Sequence, residues 1–168
     1  MSHAVTITRT TVASSGTAVF INTGYLGTMP GLLKLAQLVL GAACVGVVGY
    51  YVDHKSYNGL VTLQKAELFY LLVATTFLIG TFCLLTSCLA SLSTATMISR
   101  TYYEVIYHGF ACILYLCAGL TLLIEVNHGK NRYGDAYEAY LAASIMGLVM
   151  AGLYLLSTFI ANRHQRGF

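Results

Sequence analysis

Of 168 residues, 57 % are hydrophobic and 9 % charged, with a formal net charge of +3 and a mean hydropathy of +0.71. Soluble domains carry about 25 % charged residues, so this composition excludes an ordinary water-soluble catalytic domain, and the polar stretches are too short to bury a core of their own. The nine Lys and Arg are scattered in ones and twos, which excludes a nucleic-acid footprint and leaves at most a mild preference for an anionic membrane surface.

The chain opens with residues 1–29, rich in Ser, Thr and small residues. They lack the basic start and apolar stretch of a signal peptide, so this segment is expected to be polar, flexible and cytosolic. Pro30, whose ring suits a first helical turn, leads into an apolar run over residues 32–51. Lys34 and Gln37 lie one turn apart at its start, on a stripe that continues through Gly41 and Cys44. Gly41, Ala42, Gly46 and Gly49 stud the same run, with Ala42 and Gly46 in small-xxx-small spacing. The second run, 68–92, opens behind Glu67, and its small residues Thr76, Gly80, Cys83, Ser87 and Ser91 form a narrow stripe. Cys88 near its end is a candidate for palmitoylation, with simple packing between helices as the alternative. Glu104 and His108, an (i, i+4) pair, open the third run at 105–124, and Glu125 closes it. In the fourth run, 140–161, Ala143, Gly147 and Ala151 make a three-step ladder on one face. Residues 162–168 remain as a short polar tail.

Roughly 20 helical residues cover the ~30 Å hydrocarbon core of a bilayer, and each of the four runs meets that length. Backbone polar groups in lipid must be satisfied within their own segment, so the expected fold is all-α: an integral membrane four-helix bundle over residues 30–161 with both termini cytosolic. The Lys/Arg distribution agrees weakly, with Arg9, Lys34, Arg100, Arg163 and Arg166 inside against Lys55, Lys65, Lys130 and Arg132 outside. Tyr50, Tyr51, Tyr70, Tyr102, Tyr103 and Tyr140 fall near run ends and suit the headgroup belt. All five cysteines sit inside apolar runs, so no extracellular disulfide framework is expected.

Helices gain little from hydrophobicity when they meet in lipid, and contact depends on small residues that let backbones approach. The ladders at Gly41, Ala42 and Gly46 and at Ala143, Gly147 and Ala151 therefore read first as internal packing, and second as surfaces for self-association, a partner helix or a sterol. A charge in hydrocarbon costs at least ~2.5 kcal/mol, so Lys34 and Glu104, both near the cytosolic boundary, are expected to pair and fix which face of the first helix meets the third. The rival for Glu104 and His108, with Tyr103, Tyr107 and Tyr115 nearby, is a proton or ion relay. A relay needs polar groups at successive depths, and the middle of each run reads as apolar and small. His54 and His128 are lone loop residues, so no catalytic, cofactor or metal site is expected.

Residues 25–41, YLGTMPGLLKLAQLVLG, resemble the entry into the first span of the MARVEL-domain family, with Pro-Gly-Leu-Leu-Lys followed by a polar residue one turn on. Residues 103–115, YEVIYHGFACILY, resemble the acidic, His and small-residue opening of the family's third span. The likeness is closest to chemokine-like-factor, plasmolipin and myelin-and-lymphocyte types. It implies a non-enzymatic organiser of plasma-membrane or secretory and endosomal vesicle membranes. Such a protein acts in trafficking, membrane apposition or fusion, or junction formation, through lateral contact with lipids and other membrane proteins. The alternative is a small transporter or channel accessory subunit using Glu104 and His108.

Overall fold

The computed structural model describes residues 23–56, 65–90, 92–99 and 101–166. A 3-10 helix, η1 (Thr23–Gly27), leads into α1 (Met29–Ser56), followed by α2 (Lys65–Ala90), α3 (Leu92–Ser99), α4 (Tyr102–His128), α5 (Lys130–Tyr133), η2 (Gly134–Ala136) and α6 (Tyr137–Gln165). Four of these helices are long and apolar enough to cross a membrane: α1, α2, α4 and η2–α6. The α-helices α1, α2, α4 and α6 themselves, at 26–29 residues each, run about 39–44 Å, longer than the hydrocarbon core alone and sufficient to carry their polar ends into the headgroups.

Local signals set the boundaries. Thr28 starts α1: its Oγ1 accepts from the Gly31 amide at 3.3 Å and its carbonyl from the Leu32 amide at 2.9 Å. Pro30 has no amide to satisfy in that first turn. The Tyr25 carbonyl folds back against Gly31, where a β-carbon would collide with it, so glycine lets η1 lie on the start of α1. The described residues thus include a helical turn from Thr23, ahead of the expected helix start. At the other end of the bundle, α4 stops where the Gly129 amide bonds the Glu125 carbonyl at 2.8 Å, and Gly134, at φ +49°, turns the chain into α6.

The bundle is a ring in which α1 packs on α2, α2 on α4, α4 most extensively on α6, and α6 back on α1. Helices α1 and α4 therefore face each other across one diagonal, and α2 and α6 across the other. The outside is studded with Val39, Leu72, Ile79, Phe82, Phe110, Ile113, Val149, Leu155 and Phe159, as a lipid-facing surface requires.

Three expectations are corrected here. The second run does not continue to Leu92: α2 ends at Ala90 and Leu92 begins α3, which packs against α2, α4 and α6, so this connection is a structured cap on the bundle. Nor is the interior apolar at mid-depth. Tyr115 and Tyr154 are fully buried there, together with Thr81. Tyr154 and Thr81 share a hydrogen bond at 2.7 Å, Tyr107 reaches Thr81 at 3.1 Å, and the Tyr70 hydroxyl donates to the Ala143 carbonyl at 2.5 Å. Tyr70 and Tyr140, expected in the headgroup belt, point inward instead, whereas Tyr50, Tyr102 and Tyr103 are exposed. Run-end position fixes depth but not the helix face, and both tyrosines fall on the buried one.

Candidate functional site

Lys34 occupies the second turn of α1 and Glu104 the first turn of α4, so both reach the bundle interior at the same end. The Lys34 Nζ donates to Glu104 Oε1 and, at 3.1 Å, to the Tyr25 hydroxyl. His108, one turn along α4, brings Nε2 to 3.6 Å from the same carboxylate oxygen. Gln37, one turn along α1, donates to Ser157 Oγ at 2.8 Å and to the Leu153 carbonyl at 3.2 Å on α6. Lys34 is 2 %, Gln37 1 %, Glu104 6 % and His108 1 % exposed. Lys34, Glu104 and His108 are brought together, Lys34 and Glu104 bridging the α1–α4 diagonal, whereas Gln37 bonds α6.

A buried ion pair is not strongly stabilising relative to a well-packed apolar pair, but removing one partner costs about 3–5 kcal/mol because it strands the other charge. Its main effect is on specificity, because rotating α1 by one residue separates Lys34 from Glu104. Beside the cluster lies a cavity of about 220 Å³, bounded by η1, α1, α3, α4 and α6. Tyr25, Lys34, Glu104, His108 and Ser157 form its polar floor and walls, and Leu33, Ala95, Ile160 and Ala161 its apolar walls. Tyr25 lies outside the spanning helices, and burial pushes its phenol well above the usual tyrosine range, so it is a neutral hydroxyl.

The small-residue ladders divide. Ala143, Gly147 and Ala151 are buried, and the Tyr70 ring already lies on Gly147, where a β-carbon would stand 2.6 Å from ring carbon Cε2. The α6 ladder is therefore a seat for Tyr70 of α2, not a groove open to a sterol or a partner. Gly41 also faces inward, towards Leu78, Met150 and the Tyr115 hydroxyl. Ala42 and Gly46 face outward, with nothing near Gly46, so their expected role in internal packing is corrected. Thr76, Cys83 and Ser87 of α2 are likewise exposed, while Ser91 lies outside the described residues.

Cys88 is 1 % exposed and lies near Tyr25. That position counts against palmitoylation, because an acyltransferase needs an accessible thiol. The exposed cysteines are Cys83 and Cys117.

The sequence reading missed Tyr25 and Ser157, which complete the cluster, and a second buried carboxylate at the far end of the bundle. Glu67 is 1 % exposed, with Tyr133 and Tyr140 close enough to feel its charge. Glu67 was visible as a helix-opening residue, but Tyr133 sits in a connection that reads as solvent-exposed. His128 is exposed, and the His54 side chain lies outside the described residues. Among the described residues, no group of three His, Cys, Asp or Glu side chains could hold a metal ion.

Four apolar helices with a polar, locked interior define a multi-pass integral membrane protein whose outer surface contacts the bilayer. Residues 25–160 match the MARVEL family, described as a membrane-associating domain. The chain belongs to the MARVEL family. No curated protein and no solved structure matches it.

Proposed function

We propose that the protein is a non-enzymatic organiser of the membrane it spans. It acts by lateral association with lipids and other membrane proteins, in vesicle trafficking, membrane apposition or fusion, or junction formation. The observation that carries this reading is the outward face of α1, where Ala42 and Gly46 leave the backbone open to close approach. Close backbone approach is what helix association in lipid depends on, and the same kind of ladder on α6 is used up internally. A membrane-protein partner or a second copy of the chain would seat there.

Both termini face the cytosol in this reading, and the protein resides at the plasma membrane or in secretory and endosomal vesicles. The chemokine-like-factor, plasmolipin and myelin-and-lymphocyte types are the relatives whose roles it shares. The test is affinity capture of the full chain from native membranes with and without Ala42→Leu and Gly46→Leu. Loss of the captured membrane proteins in the variants, with the bundle still folded, supports the reading. Identical capture refutes the face.

One observation favours a second reading as a transporter or channel accessory subunit. The Glu104–His108 pair is followed in depth by the Tyr154, Thr81 and Tyr107 hydroxyls, with the His108 and Tyr154 ring centroids 5.7 Å apart. Proton flux in liposomes that falls on Glu104→Gln would support it, and negligible flux in both forms ends it.

A further inference from the structure

In the half of the bundle where α1 and α4 begin, three buried polar atoms bond no group among the described residues: Gln37 Oε1, His108 Nδ1 and the Tyr115 hydroxyl. Gln37 and His108 are each 1 % exposed, and Tyr115 is fully buried. The Gln37 amide nitrogen already bonds the Leu153 carbonyl and Ser157 Oγ, so turning the amide round would only set oxygen against oxygen. His108 turns its other nitrogen, Nε2, towards the Glu104 carboxylate, and a proton held there leaves Nδ1 as an acceptor. A polar atom left unbonded in a dry interior is unfavourable, and three in succession call for a common partner.

The three atoms follow the inward stripe of α1. Lys34 stands on the cavity wall with Glu104, His108 and Ser157, and Gln37 lies one turn further in, bonded to Ser157. Gly41 is the next turn, and the Tyr115 hydroxyl lies 3.9 Å from where a Gly41 β-carbon would stand. Beyond it, Cys44, Val48, Ala74, Ala118 and Leu122 are fully buried and make an apolar layer. Polar groups thus line the way in from one end, as far as Tyr115. The partner must donate to Gln37 Oε1 and His108 Nδ1, yet bring no charge to a place where Lys34 and Glu104 already cancel. Water does both, and the cavity's volume, about 220 Å³, has room for several molecules of ~30 Å³ each.

We propose that the bundle holds a one-sided water vestibule. Water enters from the cavity at the start of α1 and α4, bonds Gln37 Oε1, His108 Nδ1 and the Tyr115 hydroxyl in turn, and stops at the apolar layer. The vestibule brings protons from that face to the Glu104–His108 pair and to no group past Tyr115. It deepens the transporter or channel reading, on which its proton-supplying role rests, by naming the wet half of the route and the layer that has to open before anything crosses.

Hydroxyl radicals made by brief X-ray radiolysis oxidise side chains that lie beside water, inside a protein as well as outside it. The full chain in nanodiscs is irradiated, and oxidised positions are mapped by mass spectrometry for the wild type, Gly41→Ala and Ala161→Leu, with folding followed by circular dichroism. A Gly41 β-carbon would meet its neighbours at 3.5 Å or more, so Gly41→Ala keeps the fold while filling space beside the Tyr115 hydroxyl. Tyr70 is the internal reference, fully buried as Tyr115 is but with its hydroxyl bonded to the Ala143 carbonyl. The expected result is oxidation of His108, and of Tyr115 about fivefold or more faster than Tyr70. Gly41→Ala should slow Tyr115 and leave His108 unchanged, and Ala161→Leu, on the cavity wall, should slow both. The proposal is overturned if Tyr115 is oxidised no faster than Tyr70, if neither variant slows it, or if Leu122 is oxidised as fast, which would mark a through pore. Proton flux in liposomes, measured on the same preparations, separates the two readings. Labelled Tyr115 without flux supports the vestibule and ends the transporter reading, and flux with Tyr115 as silent as Tyr70 does the reverse.

Discussion

Replacing Lys34 with Met removes an ammonium that has two acceptors, the Glu104 carboxylate and the Tyr25 hydroxyl. It leaves Glu104, 6 % exposed, with His108 as its nearest basic neighbour at 3.6 Å. Stranding one partner of a buried pair costs about 3–5 kcal/mol, whereas replacing both with apolar side chains is near neutral or stabilising. Lys34→Met and Glu104→Leu should therefore each destabilise the bundle by about 3 kcal/mol, and the double variant by much less than their sum. Ordinary side-chain hydrogen bonds between membrane helices couple by about 0.6 kcal/mol and reach at most ~1.7, so a coupling above about 2 kcal/mol marks an ion pair and not a neutral contact. The assay is a double-mutant cycle of reversible denaturation in mixed micelles. A coupling below about 0.6 kcal/mol would refute the assignment of Lys34 and Glu104 as a charged pair bridging α1 and α4.

Gly147→Ala places a methyl 2.6 Å from the Tyr70 ring and should cost about 1–3 kcal/mol by overpacking; adding Tyr70→Leu should recover part of it, measured by the same denaturation. Cys88→Ser should leave the amount of protein-bound acyl chain unchanged in a thioester-capture assay, since the thiol is buried beside Tyr25. Tyr133→Phe removes a buried hydroxyl from the neighbourhood of the Glu67 carboxylate and should cost about 1 kcal/mol. Its effect on amide exchange should be confined to the α4–α6 connection and spare Lys34 and Gln37, so faster exchange at both ends would refute the independence of the two clusters.

The number of spans, their places and the Lys34–Glu104 partnership were legible in the sequence because each is a statement about depth. Apolar length fixes where a helix crosses, and a charge near each helix start must find a partner of opposite sign at the same level. Facing was less legible. Ala42, Gly46 and Gly147 carry the same small-residue signal, yet the first two face outward and the third receives Tyr70. In a soluble helix, polarity separates inside from outside; in lipid, both sides are apolar and that separation fails. The short helix α3 was hidden for another reason: its eight residues, LSTATMIS, are too few for periodicity to stand out, and their order comes from packing on three neighbouring helices.

The buried tyrosines follow from the same physics. Lipid tails are as apolar as Leu, so burying more Leu between helices would gain almost nothing and would leave the helices free to rotate. A tyrosine fills the wide centre of a four-helix ring and ends in a hydroxyl that must find one particular acceptor. Tyr70 finds the Ala143 carbonyl and Tyr154 the Thr81 hydroxyl, both across the α2–α6 diagonal. Lys34 and Glu104 cross the other diagonal. Adjacent helices are held by close packing, and opposite helices, whose backbones cannot touch, are held by long side chains with polar tips. Since a one-residue rotation of α2 would remove Tyr70 and Thr81 from their partners together, the diagonals fix the rotation of each helix. It follows that the exposed faces, including Ala42 and Gly46 on α1, are presented to the bilayer in one fixed orientation.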